Sequence, residues 1–455
     1  MSALENPGNE QLSPEKSGKA ASKADLIKRF LAPKPASGQV PKAVMNSENR
    51  PKSARRIPTE FTRFDQFPGY KQQKMMADAA KLLGASNPFF GMHEGIAGAT
   101  TVIGGKECIN FSNYDYLGLS GDARVQQAAI DAIHTYGTSV SASRIVSGER
   151  PIHRALERAI ADAYGVDDAI VFVSGHATNV AVIGHLFGAK DLILHDSLVH
   201  NSALVGAQLS GATRRSFPHN DLDALEHLLI ELRDRFERVL IVVEGLYSMD
   251  GDIPDLATLV TLKQRHGAFL MVDEAHSFGV LGANGFGIRE HAAIAAKEVD
   301  IWMGTLSKAL AGCGGYIAGE SALIEQLKYN APGFVYSVGM APAVAGASLA
   351  AITILQEEPW RVTKLQKNGQ YFLAQARAAG LDVGLSQGYC VIPVVIGKSL
   401  SAVKLSHRLR QHNINVQPII HPAVEERAAR LRFFISCAHT ETHIDQTISR
   451  IKESI

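Results

Sequence analysis

At 455 residues, with 46 Lys plus Arg against 45 Asp plus Glu, the chain has a formal net charge of +1. That excludes the broad basic field expected of a nucleic-acid or membrane-surface binder. A hydrophobic share of 46% with 20% charged residues fits a globular protein with room for more than one domain.

The four cysteines, Cys108, Cys313, Cys390 and Cys437, stand far apart with no C-x-x-C pair. This argues against a zinc knuckle or a disulfide framework and fits a reducing cytosol. Neither a secretory h-region nor an apolar run of about eighteen residues is visible, so a cytoplasmic protein without a membrane span is expected.

Residues 1–60 are rich in Ser, Pro, Lys, Asn and Gly, a composition that buries too little to offset its ordering entropy. They are expected to form a disordered extension. Within it Ala24–Leu31 has the pattern of a marginal amphipathic helix, and Arg50, Lys52, Arg55 and Arg56 form a basic, solvated cluster. Residues 61–110 form an N-terminal segment with helical spacing over Lys71–Leu83. Ile109–Gly118 reads as a strand turning into a loop.

From 111 to 345, helical patterns alternate with short apolar strands at Ala169–Val173, Asp191–His195, Thr213–Phe217, Val239–Glu244, Ala268–Asp273, Ile301–Gly304 and Gly315–Ala318. This alternation predicts an α/β fold: a mostly parallel seven-stranded sheet covered by helices on both faces. Pro359-Trp360 marks the entry to a second, smaller α+β domain, with the C-terminal domain assigned to residues 346–455 and strands at Val391–Val395, Asn415–Pro418 and Leu431–Ser436. No internal repeat, Walker loop or G-x-G-x-x-G after a strand is present.

The chemistry converges on Thr305-Leu306-Ser307-Lys308 and the glycines that follow it. A lysine delivered at the end of a buried strand is fixed in place, and such an amine forms a Schiff base with an aldehyde cofactor. About thirty residues earlier, the apolar run Phe269–Asp273 ends in a carboxylate, with His276 three residues on. A carboxylate there pairs with the ring nitrogen of pyridoxal phosphate (PLP) and keeps it protonated, which makes the ring an electron sink. Ser174-Gly175-His176 is a small-residue turn between a strand and a helix, suited to a phosphate; Thr305 and Ser307 add hydroxyls.

Glu244 and Ser248 follow another strand end and face the crevice where α/β sheets bind ligands. His200 reads equally as a rim residue or as a ring stacked on the cofactor. Arg144 sits in a loop before a helix. Arg432 alternates with apolar neighbours on a strand, where it either clamps a substrate carboxylate or makes a surface ion pair.

Taken together, these stretches resemble the α-oxoamine synthases, PLP enzymes of the aspartate-aminotransferase-like fold (fold type I). That family includes 8-amino-7-oxononanoate synthase, 5-aminolevulinate synthase, 2-amino-3-ketobutyrate ligase and serine palmitoyltransferase. The resemblance spans roughly residues 70 to 455. It is carried by Asn113–Gly118, by Ser143-Arg144-Ile145-Val146-Ser147-Gly148, by Glu244–Gly251 and by Asp273-Glu274-Ala275-His276.

The resemblance implies an acyltransferase. It would condense an amino acid with an acyl thioester, on coenzyme A or an acyl carrier protein, and release CO2 and an α-aminoketone. It further implies that Lys308 bonds PLP covalently, that Asp273 pairs with the pyridine nitrogen, that His276 bonds the ring hydroxyl and that His200 stacks on the ring. The Gly175 and His176 amides and the Thr305 hydroxyl would hold phosphate, and Arg432 would take the amino-acid carboxylate. A homodimer with sites at its interface is implied, with Tyr336-Ser337-Val338 corresponding to a stretch that lends phosphate hydroxyls across it, although only Ser337 keeps the pattern. His176 stands where Phe or Tyr is usual. Tyr114 and Ser307 are similar to the serine palmitoyltransferase branch, and Tyr114 is counted with Arg144 and Arg432 as substrate-binding. Two other readings stay open: an aminotransferase or decarboxylase of the same fold, and a metal-dependent hydrolase using His195, His200, Asp273 and His276.

Overall fold

Apolar runs of five or six residues, each broken by a helical pattern, set the architecture of the computed structural model, which describes residues 57–82 and 87–455. The expected helix over Ala24–Leu31 and the basic cluster at Arg50, Lys52, Arg55 and Arg56 lie outside the described residues. At the N-terminal end, two 3-10 turns, Thr59–Phe61 and Phe64–Gln66, precede a helix over Pro68–Leu82. The described residues up to Gln73 belong to a separate unit.

From Lys74 onward the chain forms a second unit built on three sheets. The first is a hairpin of β1 (Thr100–Ile103) and β2 (Lys106–Asn110). Gly104 and Gly105, at φ 60° and 74°, supply the left-handed turn that a two-residue hairpin requires.

The central sheet contains all seven strands expected from the sequence: β3 (Asp168–Phe172), β4 (Leu192–Asp196), β5 (Thr213–Phe217), β6 (Val239–Glu244), β7 (Phe269–Asp273), β8 (Ile301–Thr305) and β9 (Gly315–Gly319). Their order is β3-β9-β8-β7-β6-β4-β5. Every pairing is parallel except those of β9, which runs against both of its neighbours. Strands β4 and β6 are buried at every residue, as continuous apolar runs covered on both faces must be. The connection after β4 leads to β5 on one side, whereas β6 leads to β7 on the other. The crevice between β4 and β6 is therefore a topological switch point, where such sheets bind ligands beyond their carboxyl ends.

The third sheet joins β10 (Val391–Gly397), β13 (Ala429–Phe434) and β12 (Gln417–Ile419), all antiparallel. Asn415–Pro418, expected as one strand, is split: β11 (Ile414–Asn415) leaves that sheet and pairs in parallel with β2. Helices Ala123–Tyr136 and Pro342–Glu357 pack closely because Gly346 has no side chain; a Cβ there would lie 2.7 Å from Ala128 O.

Candidate active site

Five strand ends deliver one cavity. It is lined by Gly175, His176 and Asn179 after β3, His200 and Ser202 after β4, Glu244 and Ser248 after β6, Asp273 and His276 after β7, and Thr305 and Lys308 after β8. The sequence thus anticipated nine of its side chains or backbone positions, and these meet in space although they span more than 130 residues.

Asp273 ends β7 and is buried. Its Oδ1 accepts from Ala275 N over 3.0 Å and its Oδ2 from Asn179 Nδ2 over 2.8 Å. The second hydrogen of that amide goes to Ser202 Oγ at 2.9 Å, and Ser202 Oγ lies 2.7 Å from His200 Nδ1. Because Nδ1 also accepts from Ser202 N, the Ser202 hydroxyl donates to it and the ring proton resides on Nε2. Burial keeps the His200 pKa below the usual imidazole value, the Asp273 charge opposing it. One polar chain therefore ties the Asp273 carboxylate to the His200 imidazole.

On the other wall His276 is buried and held well below its usual pKa by desolvation, with Lys308 and Arg432 adding to the effect. Its Nδ1 lies 2.8 Å from the hydroxyl of buried Tyr116. Cys390 Sγ donates to the His276 carbonyl at 3.5 Å.

Lys308 is pushed down to about 8, chiefly by burial, against the pull of the Asp273 and Glu244 carboxylates. Its Nζ sits 5.6 Å from the centroid of the Tyr114 ring. Glu244 moves the opposite way, up to about 8, because burial and the charge of Asp273 both disfavour its ionised form. Glu244 Oε2 accepts from Ser248 N at 3.1 Å, while Oε1 is buried with no partner.

The helix Gly175–Leu186 starts at the cavity, capped by Ser174 Oγ, which accepts from Ala177 N at 3.3 Å. Its first amides have no intrahelical acceptor. A Cβ at Gly175 would lie 2.9 Å from Thr305 Oγ1, so only glycine leaves a cup between the two. Thr305 Oγ1 donates to Gly314 O at 2.8 Å. Ser307 does not line the cavity; its hydroxyl bonds within the turn to Gly314.

Arg432 lies on β13 beside this cavity's loop. Nη1 donates to Ser248 O at 2.9 Å, the guanidinium stacks 4.7 Å over the Phe434 ring, and Nε is buried without a partner. Tyr114 packs edge-on against Phe434 at 4.8 Å. Arg144 and Ser337 are not brought into the cavity in this chain. Arg144 is buried between Glu149 and Glu157, bonding both carboxylates, and both residues line a separate depression with Phe334 and Gly339. His195, of the metal reading, turns Nδ1 to Asp196 O at 2.8 Å and does not line the cavity. Among the described residues, no group of three or more His, Cys, Asp and Glu has a metal-holding arrangement.

Asn179, Ser202 and Tyr116 were missed from sequence. Asn179 is one helical turn from Gly175 and Ser202 two residues past His200, so their spacing to anticipated residues was the available signal.

PLP fits this site on three counts. The aperture at Gly175 with free helix amides suits a phosphate. A buried carboxylate and a depressed lysine face one cavity. Orphaned Asn179 Oδ1 and Glu244 Oε1 belong to residues that line it, as polar atoms that await a polar ligand do.

Comparison with known proteins decides the family. The aminotransferase class I and II family model matches residues 106–451. The chain is 40% identical over 364 residues to a putative 8-amino-7-oxononanoate synthase of Gloeobacter violaceus, covering 79% of this chain and 92% of that one. It is 39% identical over 349 residues to the 8-amino-7-oxononanoate synthase of Symbiobacterium thermophilum, covering 77% and 88%. The structure of Sphingomonas wittichii serine palmitoyltransferase superposes with a TM-score of 0.81 at 27% identity, covering 85% of this chain and 97% of that one. The chain belongs to the α-oxoamine synthase family. As such it is a PLP-dependent acyltransferase of fold type I that condenses an amino acid with an acyl thioester. No described helix of this α-oxoamine synthase is long and apolar enough to cross a membrane.

Proposed function

We propose that this α-oxoamine synthase joins a small α-amino acid to an acyl thioester, on coenzyme A or an acyl carrier protein, with loss of CO2. The observation that carries the residue assignments is the shared buried cavity in which a lysine amine of lowered pKa and the Asp273 carboxylate occur together. In this reading Gly175, His176 and Thr305 hold the phosphate, Asp273 keeps a proton at the pyridine nitrogen, His276 bonds the ring hydroxyl and His200 covers the ring face. PLP, when bound, supplies the electron sink for a carbanion at the amino-acid α-carbon.

The chain's own groups do the rest. Lys308 Nζ would hold the cofactor and, once free, take the α-proton; a pKa near 8 suits a base at neutral pH. Arg432 binds the substrate carboxylate, and its buried Nε leaves a donor for a bidentate contact. Glu244, pushed up to about 8, can hold a proton at Oε1 and so donate into the cavity. Tyr114 closes over Lys308 and excludes water.

The amino acid is read as glycine, alanine or serine. Relatives named 8-amino-7-oxononanoate synthase and neighbours named serine palmitoyltransferase bear on that choice in different ways, and Tyr114 inclines toward the second. A panel of the three against acyl-CoA and acyl-carrier thioesters, read by thiol release and CO2, tests the proposal. Thioester-independent CO2 release or keto-acid formation would favour a decarboxylase or an aminotransferase.

We further read the protein as a cytoplasmic homodimer. Tyr336, Val338, Ile145 and Val146 are exposed apolar residues on two segments joined by a bridge between Ser143 and Val338, as at an interface. Ser337 would then serve the partner's phosphate. Sedimentation, and recovery of activity on mixing Lys308→Ala with Ser337→Ala protein, test this.

A further inference from the structure

A buried cluster just outside the cavity is not used by any step above. His219, after β5, places Nδ1 3.0 and 3.1 Å from the two oxygens of Asp196 and Nε2 2.8 Å from Asp252 Oδ2. Both nitrogens face carboxylates, so both donate and the ring is an imidazolium. Burial lowers its pKa, but the hydrogen bonds to the two acids outweigh it and lift it to about 10. Asn220 completes the arrangement: its N donates to Asp196 Oδ2 and its Nδ2 to Asp252 Oδ2, each over 2.8 Å. The Tyr247 ring meets the imidazole edge-on at 4.4 Å. None of His219, Asp196 and Asp252 lines the cofactor cavity.

The two acids belong to different parts of the fold. Asp196 ends β4, and both carboxylates are buried. Asp252 closes a turn in which Tyr247 N donates to Asp252 O and Gly251 N to Tyr247 O, each at 2.9 Å. Inside that turn are the atoms that receive Arg432: Ser248 O at 2.9 Å and Met249 Sδ at 3.5 Å from Nη1. Asp250 of the same turn pairs with Arg430 at 2.6 Å. Two buried like charges repel, and a cation between them is what allows the turn to be fastened to the end of β4.

We propose that His219 is a positioning residue for amino-acid binding: by clamping the 247–252 turn to Asp196, it sets the carbonyl and thioether against which the Arg432 guanidinium is oriented. The inference rests on the reading of Arg432 as the carboxylate-binding residue.

The test uses PLP-loaded enzyme and the amino acid that the panel selects. His219→Gln keeps a donor but removes the charge. KM for the amino acid should rise about tenfold, as for a distorted charge-assisted contact, while KM for the thioester and retention of PLP change less than about twofold. His219→Lys should recover part of the loss. Combined with Arg432→Lys, the second substitution should add less than it does alone, because both act on one contact. A His219→Gln enzyme with lowered thermal midpoint and unchanged amino-acid KM, or losses in KM that multiply fully with those of Arg432→Lys, overturns the inference. If His219→Gln does not fold, Asp252→Asn is read by the same criteria, since it weakens the clamp without emptying it. Should Arg432→Lys alone leave the amino-acid KM unchanged, the reading of Arg432 fails, and this inference with it; if only the His219 and Asp252 variants are silent, that reading stands and the clamp is refuted.

Discussion

Asn179 donates to Asp273 across 2.8 Å and, with its other amide hydrogen, to Ser202 at 2.9 Å. The carboxylate expected to face the cofactor nitrogen is therefore oriented by a residue on the helix Gly175–Leu186. Asn179→Ala should lower kcat by roughly 10- to 100-fold, the range for one buried charge-assisted bond. Asn179→Asp should do worse, because it replaces the donor to Asp273 with a second carboxylate that repels it. Steady-state kinetics with PLP affinity measured separately checks this; an Asp variant as active as the Ala variant would remove the electrostatic part of the explanation.

The Lys308 amine can be titrated through its reaction. The neutral amine attacks the aldehyde, and the protonated one does not. With its pKa brought down to about 8 by burial, covalent capture of PLP by cofactor-free protein should accelerate as pH rises through about 8, not through the range above 10 of an exposed lysine. Removing the carboxylate in Asp273→Asn should move the midpoint further down, since that charge is the larger of the two that stabilise the ammonium. Stopped-flow absorbance across pH reads both. Lys308→Ala should form no borohydride-stable adduct and retain no turnover.

Much of this site was legible because the sheet strands are continuous apolar runs that end in polar residues, so β4, β6, β7 and β8 announced His200, Glu244, Asp273 and Lys308. Less legible were features set by pairing rather than by local pattern. The four-residue strand Thr100–Ile103 was too short to stand out beside its partner. Asn415–Pro418 looked like one strand because nothing local reveals that its two halves pair in different sheets. Arg144 reads as a loop residue before a helix and is counted as substrate-binding, yet Glu157, thirteen residues on, returns along a helix to engage it. His219 and Asp252 lie 33 residues apart, and spacing alone offers no reason to join them.

Gly175 is required by space rather than by backbone conformation. Its missing Cβ leaves room beside Thr305 Oγ1, where an added carbon would sit at 2.9 Å and 3.3 Å from the Thr305 hydroxyl oxygen and Cβ. Gly175→Ala should fold, because alanine suits a helix start at no propensity cost. It should weaken PLP binding by about tenfold or more as the cup narrows. Titration of cofactor-free protein with PLP, beside a thermal melt without PLP, separates the two effects. Paired with Thr305→Ala, which removes the hydroxyl oxygen that the added carbon meets, the two losses should combine to less than their product; losses that multiply fully would mean that the added carbon meets something else.

The Tyr116 hydroxyl faces the His276 imidazole. It lies 2.8 Å from Nδ1, and burial keeps the imidazole neutral. If the phenol donates to Nδ1, the ring proton sits on Nε2, which is then free to donate to an anionic oxygen on the cofactor ring. Burial also raises the Tyr116 hydroxyl well above the usual phenol range, so it remains a donor at all working pH values. Tyr116→Phe should leave the cavity filled, since only an oxygen is lost, and should cost roughly 3- to 10-fold in kcat, the worth of one neutral hydrogen bond. The visible absorption of the PLP-loaded enzyme should shift as the ring hydroxyl loses its fixed donor. His276→Ala should abolish that shift on further substitution of Tyr116; a double variant that still responds to Tyr116→Phe would show that the phenol acts on the cofactor by another route.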